Sequence, residues 1–144
     1  MKACLKHGED CVALLLAGFR ILIIEDEYLI AMDVEQLCRD HGADEAVLVR
    51  DPDGLEAVLA DPRFDAAVID AMLNGRSTLD FARQLREQNV PFVFATGYDD
   101  NAERFADFPG VPVVGKPYSG EELIEAIASV VGRGAPQVTL EPNT

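Results

Sequence analysis

The stretch Ile21-Leu22-Ile23-Ile24-Glu25-Asp26 sets four unbroken apolar residues directly before two acids. An apolar run without alternation predicts a strand covered on both faces, the condition of a strand inside a parallel sheet. Downstream, Ile30, Val34, Leu37 and His41 recur at spacings of 4, 3 and 4, which predicts an amphipathic helix closed by Gly42. The same alternation of short apolar run and helical stripe continues. Ala46–Val49 reads as a second strand, and Asp51-Pro52 offers an N-cap and first-turn proline for a helix through Leu55, Val58 and Leu59. Ala66–Ile69 is a third strand, and Ser77-x-x-Asp80 resembles a capping box before Phe81, Ala82 and Leu85. Pro91–Ala95 and Val111–Val114 complete the strands. Between them Asp99–Ala106 is at best a weak helix, and after them Ser119-x-x-Glu122 caps a helix through Leu123, Ile127 and Val130.

Five β–α units in about 115 residues imply an open, doubly wound α/β fold, a five-stranded parallel sheet with helices on both faces. A closed barrel needs eight units and about 250 residues. The expected organisation of the 144 residues is an N-terminal extension over residues 1–18, one domain over 19–132 and a tail over 133–144.

Composition narrows the function. Twenty-six acidic against 12 basic residues leave a net charge of −14. Such a surface repels nucleic-acid phosphates and anionic membranes and favours cations or basic protein surfaces. Three cysteines, Cys4, Cys11 and Cys38, are too few and odd in number for a disulfide scaffold. Cys4-x2-His7-x3-Cys11 lacks the second ligand pair of a zinc site. The apolar stretch Val12–Ala17 is preceded by Glu9 and Asp10 and, joined to β-forming Ile21–Ile24, is interrupted by Arg20, which fits neither a signal peptide nor a membrane span. The expectation is a cytoplasmic protein.

Chemistry-bearing residues stand where strands end. The first strand runs into Glu25-Asp26, the third into Asp70, the fourth into Thr96 and the fifth into Gly115-Lys116. Parallel strands bring all of these to one edge of the sheet, the edge at which sites form in open α/β sheets. Packed carboxylates repel one another unless a cation neutralises them. Oxygen-only donors with room for water suit Mg²⁺, and a lysine and a hydroxyl on the same edge match phosphoryl oxygens. Metal donors, phosphoryl clamp and a carboxylate able to act as nucleophile together make an aspartyl-phosphate site. Gly115-Lys116 lacks the glycine spacing and the following Ser/Thr of a P-loop.

Glu25-Asp26, Asp70 placed 44 positions after Asp26, Thr96 and Lys116-Pro117-Tyr118 together resemble the receiver domain of two-component response regulators. Asp70-x-x-Leu73-x-Gly75 is similar to the loop after that family's phospho-acceptor, and the likeness spans roughly Phe19–Gly132. Phe94-Ala95-Thr96-Gly97-Tyr98 resembles the FATGUY subgroup, whose members are often stand-alone receivers or receivers paired with a sigma-factor-like domain. The resemblance implies a flavodoxin-like strand order 2-1-3-4-5. It also implies that Asp70 takes a phosphoryl group from the phosphohistidine of a histidine kinase or phosphotransfer protein. Asp26 and Asp70 would hold Mg²⁺ (or Mn²⁺) with the backbone carbonyl of Met72, and Glu25 would act mainly through water. Thr96 would hydrogen-bond the phosphoryl group, Lys116 would pair with it, and Gly97 would leave it space.

Two positions depart from the family pattern. Val113 stands where an aromatic commonly reports phosphorylation, which makes Tyr98, beside Thr96, the candidate replacement switch. Glu25 replaces the commoner Asp and adds one methylene. Met72 carries no group to orient a hydrolytic water, so a long-lived phosphoryl state is expected. The last helix ends about 12 residues before Thr144, so output is expected through a downstream partner protein or through competition for phosphoryl groups, not through an enzymatic activity of its own, with a partner or a second copy docking on the Tyr98–Gly115 surface. Two other classes compete: a pseudo-receiver that binds a partner without phosphorylation, which intact Asp26, Asp70, Thr96 and Lys116 argue against, and a Mg²⁺-dependent small-molecule phosphatase, which would need a DxD motif after the first strand and a cap domain.

Overall fold

Apolar runs become strands at every place the patterning marks. The computed structural model describes residues 15–60, 63–97, 105–116 and 119–131. Strands β1 (Arg20–Ile24), β2 (Glu45–Val49), β3 (Ala66–Asp70), β4 (Phe92–Thr96) and β5 (Val113–Gly115) form one sheet. All neighbours are parallel and the spatial order is β2-β1-β3-β4-β5. The doubly wound architecture and its strand order are therefore as expected. Helices α1 (Tyr28–Asp40), α2 (Leu55–Leu59), α3 (Leu79–Glu87) and α4 (Gly120–Val130) connect or follow the strands.

Successive strand residues point to opposite faces, so β1 divides its side chains between two cores. Ile21 and Ile23 pack with Val34 and Cys38 of α1 and Leu123 and Ile127 of α4. Leu22 and Ile24 pack with Phe81 and Leu85 of α3 and with Phe92, Phe94, Phe105 and Phe108. Each such side chain contributes roughly 1.5–3 kcal/mol by leaving water. The aromatic group is tied by ring contacts, Phe94 lying 4.7 Å from Phe105 and 5.2 Å from Phe108 between centroids. Leu16, from the stretch read as an extension, is fully buried in the α1/α4 core, and its N–H donates to the His41 carbonyl at 2.9 Å.

Local signals were obeyed unevenly. Gly42 ends α1 with φ +94°, and Ser119 and Glu122 form both halves of a capping box on α4. Asp51 precedes a 3-10 turn, Pro52–Gly54, and then α2, without capping through its side chain. The box expected at Ser77 and Asp80 does not form. The N-cap of α3 is Thr78, whose hydroxyl donates elsewhere, while Ser77 accepts the Leu79 N–H at 3.2 Å. Most of the weak helix expected at Asp99–Ala106, the Cys4–His7–Cys11 cluster and the tail lie outside the described residues. No described helix is long and apolar enough to cross a membrane.

Candidate functional site

Main-chain bonds deliver the strand-end residues to one edge. The Glu25 N–H donates to Val49 at 3.1 Å, the Ala71 N–H to Ala95 at 3.0 Å and the Lys116 N–H to Thr96 at 2.7 Å. These bonds extend the sheet ladder one residue past the strands and place Glu25, Asp70, Thr96 and Lys116 side by side. Glu25, Asp70 and Thr96 are buried, at 3%, 8% and 4% exposure, so they are held and not merely displayed to solvent.

The side chains then converge. Lys116 Nζ donates to Glu25 Oε1 at 2.8 Å and to Asp70 Oδ2 at 3.1 Å. Glu25, Asp26 and Asp70 each bring a carboxylate oxygen within 4.8 Å of the others. Glu25 Oε2 also accepts the Glu27 N–H at 3.1 Å, and Asp70 Oδ1 accepts the Met72 N–H at 3.2 Å. Burial, the largest influence, pushes the Glu25 carboxyl up to about 7. The Lys116 hydrogen bond opposes this, and the Asp70 charge adds to it. Burial pulls the Lys116 ammonium down, but the Glu25 hydrogen bond and the Asp70 and Glu25 charges together hold it above its ordinary value. Each group thus carries the mark of a desolvated, acid-rich pocket.

The donor set fits a hard divalent cation. Three carboxylates face one ammonium, every donor is oxygen, and one side of the cluster is open through half-buried Asp26. Those are conditions for Mg²⁺ or Mn²⁺ and not for zinc or copper. A Cβ built on Gly97 would lie 3.9 Å from Lys116 Cδ, ordinary contact, so the small residue keeps the ground beside the lysine uncrowded.

Of the expected residues, Glu25, Asp26, Asp70, Thr96 and Lys116 share this edge, and Met72 adjoins it through its N–H to Asp70. Val113 lies apart on the edge strand β5, with 42% exposure. Tyr98 and the Pro117-Tyr118 pair fall outside the described residues.

Two contributors went unread. Thr78 is buried, and its hydroxyl donates to the Asp70 carbonyl at 2.7 Å, bolting down the backbone of the central carboxylate. The segment after Asp70 is also no plain loop: Met72–Leu73 pairs antiparallel with Arg76–Ser77. Asn74 and Gly75 form the tip, with φ of +51° and +81°. An Asn-Gly dipeptide between short flanks is the strongest local hairpin signal, and it was available in the sequence.

A family model for the response regulator receiver domain matches residues 21–128. Among curated proteins, the sensory transduction protein RegX3 of Mycolicibacterium smegmatis is 35% identical over 118 residues, which cover 80% of this chain and 51% of RegX3. The transcriptional regulatory protein PdtaR of Mycobacterium tuberculosis is 34% identical over 119 residues, covering 79% and 57% respectively. The chain thus spans about half the length of these curated relatives. Among solved structures, a response regulator receiver protein from Sinorhizobium medicae superimposes with a TM-score of 0.66 at 25% identity, over 78% of this chain and 93% of that one. The response regulator PhyR from Brucella abortus gives 0.64 at 25% identity, over 82% and 50%.

Proposed function

This chain belongs to the response regulator receiver domain family, and we propose that within it Asp70 accepts a phosphoryl group from the phosphohistidine of a histidine kinase or phosphotransfer protein. One observation carries the reading. A buried carboxylate, Asp70, sits 3.1 Å from the Lys116 ammonium, at the meeting point of two further carboxylates and next to Thr96 on the sheet edge.

The chemistry follows from the contacts. An Asp70 carboxylate oxygen forms a bond to phosphorus as the phosphorus–nitrogen bond to the donor imidazole breaks, and the imidazole leaves with the electron pair. Asp70 is aimed by three restraints: Met72 N–H on Oδ1, Lys116 on Oδ2 and Thr78 on the carbonyl. Lys116 then exchanges a carboxylate for the incoming phosphoryl oxygens, and the Thr96 hydroxyl donates to another. Asp26, Asp70 and the Met72 carbonyl would hold Mg²⁺ or Mn²⁺, with Glu25 acting mainly through water, and the ion would supply neutralisation of phosphoryl charge.

Phosphorylation adds about −1.5 to −2 of charge at Asp70. Drawing Thr96 and Lys116 toward it reshapes the surface beyond β4 and β5, through which we place the output: a downstream protein, or a second copy of the chain. The acidic surface, −14 overall, favours a basic protein face and disfavours nucleic acid and membranes. The Phe94–Tyr98 sequence supports membership of the FATGUY subgroup, with Tyr98 as its switch in place of Val113. The setting is cytoplasmic, and any catalysis is limited to slow self-dephosphorylation.

The test is intact mass after incubation with acetyl phosphate and Mg²⁺. Gain of one phosphoryl mass in the wild type and none in Asp70→Asn is expected. No gain from either acetyl phosphate or a cognate kinase, in a folded protein, would replace this reading with the pseudo-receiver.

A further inference from the structure

We infer that the Asn74-Gly75 hairpin tip is a positioning device for the carboxylate of Asp26, set by the turn's left-handed backbone. The Asn74 N–H donates to Asp26 Oδ2 at 2.8 Å, across 48 residues of sequence. The Asn74 side-chain amide donates to the Arg50 carbonyl at 3.2 Å, at the end of β2. One residue therefore joins the loop that begins at Asp70 to a second carboxylate of the cluster and to the neighbouring strand.

The device is stiff because both ends of the hairpin are fixed. Leu73 is fully buried at the arm of the hairpin. At the base, Thr78 donates its N–H to Ala71 at 3.1 Å and its hydroxyl to Asp70 at 2.7 Å. Between these anchors the two tip residues must both take positive φ, as the tight primed turns of hairpins require. Asn tolerates that region and Gly adopts it freely, whereas a β-branched residue does not. Asp26 itself is only half-buried. Without the Asn74 N–H its carboxylate has no other described hydrogen-bond partner that fixes its rotation. The spacing of Asp26 from Asp70 is thus tied to the conformation of a turn that touches no reacting atom.

This inference rests on the reading of Asp26 as a donor to Mg²⁺, and the experiment separates the two. Mg²⁺ alone is titrated calorimetrically into wild type, Gly75→Val, Asn74→Gly and Asp26→Ala. Nothing lies within 4 Å of a Cβ at Gly75, whereas its φ of +81° is one a β-branched residue resists, so Gly75→Val is directed at the backbone conformation. Mg²⁺ affinity should fall about 10-fold in Gly75→Val, the low end for loss of a ligand's supporting contact. Asn74→Gly keeps both the N–H and the positive φ and should stay within about 3-fold of wild type. Amide exchange gives an independent readout in the metal-free protein: the Asn74 N–H should be protected in wild type and exchange faster in Asp26→Ala.

Wild-type affinity in Gly75→Val, with affinity lost in Asp26→Ala, overturns the positioning role alone. No Mg²⁺ binding by wild type, or undiminished binding by Asp26→Ala, overturns the metal reading and this inference with it. Should Gly75→Val fail to fold, unchanged exchange of the Asn74 amide in Asp26→Ala overturns the inference by itself.

Discussion

Glu25 is the residue on which the metal-free site is least at ease. Its folded pKa is raised from 4.5 to about 7, chiefly by burial, so the folded state holds a proton that the unfolded chain releases. Stability from this group is fully present below about 4.5 and is lost as pH rises through about 7. In EDTA, the urea midpoint of wild type should fall between pH 5 and 8, and Glu25→Gln should flatten that fall; parallel curves for the two proteins would contradict it. Lys116 is the counterpart. Removing it as Lys116→Met leaves Glu25 and Asp70 buried without their cation, a loss of about 3 kcal/mol by the precedent of broken buried pairs. Chemical denaturation in EDTA should show that loss, and Mg²⁺ should restore much of it. Cys38 offers a simpler check. Burial pushes its thiol up to about 12, so it should stay unmodified by a thiol reagent at pH 8 in the folded protein and react once urea unfolds it.

At the scale of elements, two similar sequence signals had different fates, and the difference is physical. Ser119-x-x-Glu122 became a capping box, its Oγ accepting the Glu122 N–H at 3.0 Å, because no other described group competes for that hydroxyl. Ser77-x-x-Asp80 did not, because the chain turns one residue later and Thr78 spends its hydroxyl on the Asp70 carbonyl. Ser119→Ala should therefore lower stability by about 1 kcal/mol and Ser77→Ala by under about 0.5. Thr78→Val should lower it by about 1–3 kcal/mol and also slow phosphorylation by acetyl phosphate, since an acceptor is left unpaired beside the nucleophile. The three central strands β1, β3 and β4 were legible because strands covered on both faces are almost wholly apolar, and their short length between turn signals sets them apart from a buried helix. The hairpin was not, since two-residue arms leave no periodicity and only Asn74-Gly75 announced it. Phe105 and Phe108 were missed for a related reason: their partners, Phe92 and Phe94, lie on another element, and Asp99–Ala106 alone shows a poor apolar face.

For the whole molecule, the same topology that made the sheet readable made most of the site readable. Parallel strands in order β2-β1-β3-β4-β5 send every carboxyl end the same way, so acids at the ends of β1 and β3 and a lysine after β5 had to meet. What the strand ends could not reveal were the supports, Thr78 and Asn74, whose roles depend on bonds across the fold. The price of that meeting is a folded state that concentrates like charge which the unfolded chain keeps apart. A cation binding only the folded form must then stabilise the entire domain, by about 2.7 kcal/mol at 100 times its dissociation constant. Thermal unfolding with and without Mg²⁺ should show an upward shift in wild type that disappears in Asp26→Ala and Asp70→Ala. Since both cores pack against the same five-stranded sheet, the shift should be the same by far-ultraviolet circular dichroism and by calorimetry. A shift that persisted in both variants would place the cation on the acidic surface at large, and the cluster at the strand ends would lose its claim to it.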